Sequence, residues 1–390
     1  MPLRFLTAGE SHGPALVAIL EGLPAGLPLS TGIIDAELAR RQQGYGAGPR
    51  MKIEHDTVQL LSGVMEGQTT GAPLAFMIEN LDHTKWKGKP VAAYTAPRPG
   101  HVDLAGVVKY GYDDIRPALE RASARETAAR VAVGAVCKHF LEQFGIRVGG
   151  YVISIGNVEA DLASLPIQKR FSLAEANDVR CPDPQAAEEM RQAIRQIMDE
   201  RDTLGGILEV VALGLPVGLG SHVHWDRRLE SYLGAAALSI PAVKGVEIGP
   251  AFANARLPGT QVHDAIRLEG ENLTRQTDRA GGTEGGISTG QPLVIRAAMK
   301  PIATTLNPQQ TVDLASGRET PTNYERSDFC PVPRAVPILE GMVAFVLARS
   351  LLEKLGGDSM RELQSRFGDL RQARLSDIEL SDEDHLFWPE

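Results

Sequence analysis

The sequence predicts an α+β protein folded as a single compact unit, and three observations carry that reading. Short apolar runs of strand length recur along the whole chain, at Arg4 to Ala8, Leu16 to Leu20, Tyr151 to Ile155, Ile207 to Leu213 and Leu293 to Ala298. Between them lie segments whose apolar residues repeat with helical spacing. No proline- or serine-rich linker divides the 390 residues, a length that allows a substantial core. One domain over 1–390 is expected, with residues 357–390, a polar helix and an acidic tail, at its periphery.

The first two runs read as a strand pair turned by Gly9 to Gly13. A helix over Ile33 to Gln42 should end before the glycine-rich Gly44-Tyr45-Gly46-Ala47-Gly48. Ser123-Ala124-Arg125-Glu126 has the form of a capping box and should start a second helix, with Ala128, Val131, Ala132, Ala135, Val136 and Phe140 on its core face. Pro337 to Leu355 is apolar nearly all round, as expected of a central buried helix. Glu66-Gly67, followed by Gly71-x-Pro73-Leu74, is echoed by Glu284-Gly285, followed by Gly290-x-Pro292-Leu293. Each leads into a strand-like run, which predicts two related halves folded as a pseudo-symmetric pair.

Charge and composition narrow the function. The formal net charge is −9, so the chain is not a nucleic-acid binder of the basic type, and any anionic ligand needs a local arginine cluster. Cys137, Cys181 and Cys330 are odd in number and widely spaced, which disfavours disulfides and a cysteine zinc site and fits a reducing cytosol. Met1 to Phe5 lacks the apolar core of a signal peptide, and Gly341 to Ala348 is too short between Glu340 and Arg349 to span a bilayer. The expectation is a cytoplasmic protein with no membrane partner. His222-x-His224 lacks a third ligand at sensible spacing, so no metal is expected.

Six segments combine glycine turns with reactive or cationic side chains. Thr7-Ala8-Gly9-Glu10-Ser11-His12-Gly13 matches the G-x-S-x-G nucleophile elbow, but a hydrolase elbow needs a sheet laid down before it, and only one strand precedes Ser11. What remains is His12 in an exposed turn, able to exchange a proton near neutral pH. Arg40-Arg41-Gln42-Gln43-Gly44-Tyr45-Gly46, with Arg50 beyond, lets guanidinium groups and bare backbone approach one anion, although an Arg-Arg pair can equally cap a helix end. Arg98-Pro99-Gly100-His101-Val102-Asp103 sets an arginine and a histidine on a turn, with Asp103 able to cap the next helix. Arg121-Ala122-Ser123-Ala124-Arg125 adds two arginines to a helix N-terminus, which already favours anions. Gly281-Gly282-Thr283-Glu284-Gly285-Gly286 leads to Met299-Lys300-Pro301-Ile302-Ala303-Thr304 without Rossmann or P-loop spacing. Arg326-Ser327-Asp328 offers a cation, a hydroxyl and a carboxylate in succession.

In order and wording these blocks resemble the chorismate synthase family, from Arg4 to Gly357. The resemblance implies a β-α-β sandwich of the chorismate synthase type, a homotetramer, and reduced FMN as cofactor. It implies a lyase of the shikimate pathway and aromatic amino acid biosynthesis. The reaction would be 1,4-anti elimination of phosphate from 5-enolpyruvylshikimate 3-phosphate, with loss of a hydrogen from carbon 6 and no net redox change. By the same match, Arg41, Arg50, Arg98, Arg125 and Arg326 are expected to bind the substrate. His12 would protonate the departing phosphate, His101 would stabilise the reduced flavin, and Asp328 would relay the carbon 6 proton. The expected FMN site comprises Arg121, Ala122, Ser123, Gly285, Lys300, Pro301, Ile302, Ala303, Thr304, Arg326 and Ser327, with Pro241 and Ala242 reaching in from a neighbouring subunit.

Ala47 departs from the family pattern, which usually has arginine in this loop; one lost charge-assisted contact implies roughly tenfold to hundredfold weaker substrate binding. No dinucleotide fingerprint is recognisable, so FMN is expected to be reduced from outside rather than by NADPH bound to this chain. The rival readings are a non-catalytic oligomer binding flavin or phosphorylated metabolites, which would have no use for His12, His101 and Asp328 together, and a serine hydrolase acting through Ser11.

Overall fold

The opening strand pair forms as expected. In the computed structural model, which describes residues 2–47, 55–325 and 327–388, β1 (Arg4–Ala8) turns back antiparallel onto β2 (Ala15–Glu21). Leu16, Ala18 and Leu20 alternate into the core, the period-two signature of a half-buried strand. Then come β3 (Ala25–Pro28), α1 (Thr31–Gln42), β4 (Val58–Ser62), a short hairpin of β5 (Val64–Met65) and β6 (Gln68–Thr70), and β7 (Leu74–Glu79). Helices α2 (Asp103–Tyr110), α3 (Arg116–Ala122) and α4 (Thr127–Glu142) close the first half.

The second half starts with β8 (Arg147–Ile155), β9 (Val158–Glu159), α5 (Ile167–Glu175) and α6 (Pro184–Asp199). It continues with β10 (Gly206–Leu213), β11 (Val217–Gly220), α7 (Leu229–Leu238), β12 (Val243–Ile248), α8 (Ala251–Asn254) and the hairpin β13 (Ile266–Glu269) and β14 (Asn272–Arg275). The hairpin β15 (Thr283–Glu284) and β16 (Ile287–Thr289) precedes β17 (Leu293–Met299), β18 (Gln310–Asp313) and β19 (Arg318–Pro321). Helices α9 (Val332–Leu355) and α10 (Met360–Gly368) end the ordered elements.

One strand order occurs twice. The first half forms a sheet β1-β2-β7-β4, and the second half contains β8-β10-β17-β12, with β9 added at its edge. The small sheet β3-β6-β5 is matched by β11-β16-β15. Glu66-Gly67 forms the β5–β6 turn and Gly285-Gly286 the β15–β16 turn, with Glu284 ending β15, and Leu74 and Leu293 open the corresponding central strands. The echo in the sequence therefore marks equivalent places in the two halves.

Helices fill the space between the two sheets. Helix α9 lies on β8 and β10, and its Phe345 also meets Phe5 of β1 edge to face, with ring centres 4.8 Å apart. Helices α4 and α9 cross where Gly134 faces Gly341, a contact so close that neither position has room for a larger residue without movement. Beside the crossing, the fully buried Glu340 binds Arg40 at 2.8 Å and Lys138 at 2.7 Å. Burial alone would raise the Glu340 carboxyl, but the two cations outweigh it and hold it down to about 2. Helix α9 is the one helix among the described residues long and apolar enough to cross a membrane, and most of it is buried inside this fold.

Two boundaries differ from expectation. Helix α9 begins at Val332, ahead of Pro337, because the Pro333 carbonyl that Pro337 cannot serve accepts a hydrogen bond from Arg180 Nη1 at 2.7 Å. Helix α4 begins at Thr127, after one tight turn at Ala124–Glu126. The capping box there is half formed: Ser123 Oγ accepts from Arg125 N, but Glu126 accepts from Thr7 Oγ1 (2.6 Å) and Arg130 Nε (2.9 Å) instead. A complete capping box appears at Ser359 and Glu362, where α10 buries Met360 and Leu363. The periphery is thus anchored by one helix turned against the core, and the chain beyond it, from Ile378 to Trp388, is exposed.

Candidate active site

Arg41 ends α1, Ser11 and His12 occupy the β1–β2 turn, and the first turns of α4 and α9 face the same opening. These elements enclose a cavity of about 640 Å³, inside the range of roughly 300–1,000 Å³ usual for small-molecule sites. His12, His101 and Asp328 all line it, as do Arg41, Arg98 and Arg125. Arg121, Ala122, Ser123, Lys300, Ile302, Ala303, Thr304 and Ser327 complete most of the expected cofactor set. Arg50 and Arg326 lie outside the described residues.

Of the other expected cofactor residues, Pro241 and Ala242 line the cavity, and Gly285 and Pro301 do not. Pro241 and Ala242 line the cavity of their own chain, because the segment after α7 folds over the start of α4, where Arg130 Nη1 donates to Ser239 Oγ at 2.8 Å. Gly285 stands outside the lining; its positive φ of 59° serves the β15–β16 turn. Pro301 is also outside the lining, although its neighbours on both sides belong to it.

Each histidine is held by a carboxylate. His12 Nδ1 lies 2.8 Å from Glu120 Oε1, and its ring packs on Trp86 with centres 4.4 Å apart. His101 Nδ1 meets Asp103 Oδ1. Asp103 also accepts from Arg98 N (3.0 Å), Nε (2.8 Å) and Nη2 (3.0 Å), so it is the anchor of this turn rather than a simple helix cap. Burial opposes the charge on Asp103, but His101 and Arg98 hold its carboxyl well below the usual carboxylate range.

Buried guanidinium groups cluster at the floor of the cavity. Arg41, Arg125 and Arg334 are all buried; Arg125 Nη1 pairs with Asp56 at 2.5 Å, Arg41 contacts the same carboxylate at 3.4 Å, and Arg334 pairs with Asp328. Burial, and then the like charge of Arg334, push the Arg41 guanidinium down to about 9. Across the cavity, burial and Lys244 lower Lys300. Cations held this way favour an anionic guest, and there are two such centres on one cavity. Ala242, which lines the same cavity as Ile240 and Ile302, has a positive φ of 68°, the kind of backbone strain that clusters at binding sites.

Comparison with known proteins agrees with this geometry. A family model described as chorismate synthase matches residues 3–352. The chain belongs to the chorismate synthase family. It is 53% identical to the chorismate synthase of Symbiobacterium thermophilum over 94% of this chain and 97% of that one, and 51% identical to that of Aquifex aeolicus over 94% and 97%. A crystal structure of chorismate synthase superposes with a TM-score of 0.78 at 45% identity, covering 95% of this chain and 97% of the other. The fold is accordingly the mixed α+β fold of chorismate synthases, and the activity is that of a chorismate synthase, a phosphate-lyase in aromatic amino acid biosynthesis.

Several residues of this chorismate synthase site went unread in the sequence: Glu120, Trp86, Asp56 and Arg334. Glu120 and Arg334 flank blocks that were read without belonging to them, and Trp86 and Asp56 lie outside any of the six segments. Arg40, by contrast, neighbours Arg41 in the motif but turns away to Glu37, Glu175 and Glu340. The Ser11 hydroxyl accepts from that of Ser123 at 3.1 Å, and the adjacent His12 has Glu120 on its Nδ1.

Proposed function

We propose that this cavity binds reduced FMN together with 5-enolpyruvylshikimate 3-phosphate and eliminates the 3-phosphate to give chorismate. The observation that carries the reading is the pair of cationic centres, around Arg41 and at Lys300, on a single cavity that also holds two carboxylate-bound histidines. One centre suits the substrate's phosphate and carboxylates, the other a cofactor phosphate. Ile240, Ala242, Ile302 and Ala303 offer the apolar wall that a flat ring system requires, so the residues present fit FMN. Bound reduced FMN supplies electron density to the breaking carbon–oxygen bond and recovers it.

The chain's own residues do the rest. Arg41, Arg98 and Arg125 bind and orient the anionic substrate, with Arg50 and Arg326 as further expected contacts, each charge-assisted hydrogen bond contributing about 1.5–3 kcal/mol. His12 donates a proton to the departing phosphate. His101, whose Nδ1 is tied to Asp103, would stabilise the bound reduced flavin. Asp328, held by Arg334, handles the proton from carbon 6. Burial of the site excludes water that would compete for these charges.

Two further proposals go with this reading. The repeated strand order supports a pseudo-symmetric β-α-β sandwich, and the exposed Leu6 and Ile19 on the outer face of the first sheet support assembly into a homotetramer. The test of function is phosphate release from 5-enolpyruvylshikimate 3-phosphate under anaerobic conditions, with and without chemically reduced FMN. Release with reduced FMN alone, matched by chorismate absorbance, is expected; release that ignores the flavin, or none at all, overturns the reading.

A further inference from the structure

We propose that Glu120 is a positioning residue for the elimination, holding His12 as an imidazolium whose outer nitrogen donates to the leaving phosphate. This rests on the assignment of His12 made above. Both oxygens of Glu120 are spent on one residue: Oε2 accepts from the His12 backbone N at 2.7 Å and Oε1 meets the ring Nδ1 at 2.8 Å. The clamp is closed from other sides. Ser11 N donates to the Glu120 carbonyl at 3.2 Å, His83 Nδ1 meets the His12 carbonyl at 2.9 Å, and Trp86 covers the ring. The two side chains are only 16% and 11% exposed, so little water competes for the contact.

The chemistry follows from which partner can hold a proton. Burial would raise the Glu120 carboxyl, but the hydrogen bond and charge of His12, and then Arg116, keep it below the ordinary range. Glu120 is therefore an acceptor only, and His12 Nδ1 must carry a hydrogen. A neutral imidazole protonated there has a bare Nε2, which has nothing to give a leaving group. Donation from Nε2 requires the doubly protonated ring, the form that a carboxylate neighbour favours. The charged and titratable groups that the contacts place against this pair are Arg116 from α3 and His83 from the turn at Leu81–Lys85.

In the step itself the bond between carbon 3 and oxygen breaks and its electron pair leaves on the phosphate oxygen, which takes the proton from Nε2. The electron pair of the bond between carbon 6 and hydrogen becomes the new double bond to carbon 1, and the existing ring double bond moves to carbons 2 and 3. One proton is given to phosphate and one is lost from carbon 6, so charge and oxidation state balance.

The test compares Glu120→Gln, Glu120→Asp and His12→Ala with the parent under anaerobic turnover, alongside 15N spectra of the histidine ring in protein bearing inorganic phosphate. Glu120→Gln should lower kcat roughly 10- to 100-fold, a part of the 10²–10⁴ that a general acid supplies, with KM changed less than about threefold. Glu120→Asp, which keeps a carboxylate, should recover most of that loss. A slow His12→Ala beside an unaffected Glu120→Gln refutes the role of Glu120 alone. A fully active His12→Ala refutes the His12 assignment and this proposal with it. A parent His12 ring with one bare nitrogen at the assay pH overturns the proposal without any variant.

Discussion

A methyl group added at Gly134 should be far more damaging than one added at Gly341, though the two glycines face each other. A Cβ on Gly134 would lie 2.2 Å from the Gly341 Cα and 2.9 Å from its carbonyl carbon. Carbon atoms prefer roughly 3.5–4.0 Å, so α4 and α9 would have to part by more than about 1 Å. Both obstructing atoms are backbone in the middle of a buried helix, so no side chain can swing away. A gap of that width forfeits about a quarter to a half of each dispersion contact along the crossing. The gain in helix propensity from glycine to alanine is only about 1 kcal/mol, so a net loss of about 3 kcal/mol or more is expected for Gly134→Ala. At Gly341 the new Cβ would come no closer than 3.2 Å to the Gly134 Cα, a squeeze of a few tenths of an ångström that the propensity gain offsets to within about 1 kcal/mol. Soluble yield and thermal unfolding of the two variants, measured side by side, test the asymmetry. Equal midpoints for both would refute the claim that this crossing sets the spacing of the helix layer.

Other substitutions probe the site and its supports. In Asp103→Asn the oxygen must stay toward Arg98 N and Nε, which turns the amide nitrogen toward His101 Nδ1 and forces the tautomer with hydrogen on Nε2; reduced FMN should bind roughly tenfold more weakly, read by anaerobic titration. Glu340 is depressed to about 2, so its contribution to stability is complete above the unfolded carboxyl value near 4.3 and is lost as pH falls from there toward about 2. Glu340→Gln should unfold more readily at neutral pH, by about 3–5 kcal/mol, and lose that acid dependence, as acid-unfolding curves will show. Ala47→Arg should lower KM about tenfold, since Ala47 follows Gly46, whose carbonyl accepts from Phe329 N beside the cavity residue Asp328. A fluorophosphonate probe should leave Ser11 unlabelled, as mass spectrometry of the treated protein will report.

What could be read in advance was whatever a short stretch of chain specifies for itself. The β1–β2 turn, the helix before the Gly44 to Gly48 loop, and the 98–103 turn each carry their own glycine or proline signal, and the histidines and arginines ride on them. Where a boundary depends on a remote partner, local reading fails. The start of α9 rests on Arg180, 153 residues before the carbonyl it satisfies, so Pro337 looked like a beginning when it is an interior residue. Glu120 is 108 residues from His12, and Asp56 is 69 residues from Arg125. Glu126 illustrates the opposite failure: its spacing from Ser123 is right for a cap, but Thr7, brought in by tertiary folding, and Arg130, one helical turn on, take its carboxylate instead.

The cavity lies where equivalent ends of the two halves converge. The C-terminal end of α1 brings Arg41, and the end of its counterpart α7 brings Ser239 to Ala242. The first turns of α4 bring Thr127 and Arg130, and those of its counterpart α9 bring Arg334, Ala335 and Ile338. Two long helices therefore start at one cavity, and each start carries partial positive charge that favours anions. The side chains then divide the work, because arginines and His12 come mainly from the first half, whereas Lys300 and the apolar Ala242, Ile302 and Ala303 come from the second. A repeated backbone dressed with two different chemistries would give the two proposed anionic guests neighbouring places. On that proposal a chain of net charge −9 meets both because the positive field is made locally, by helix starts and buried arginines, and not by the protein as a whole.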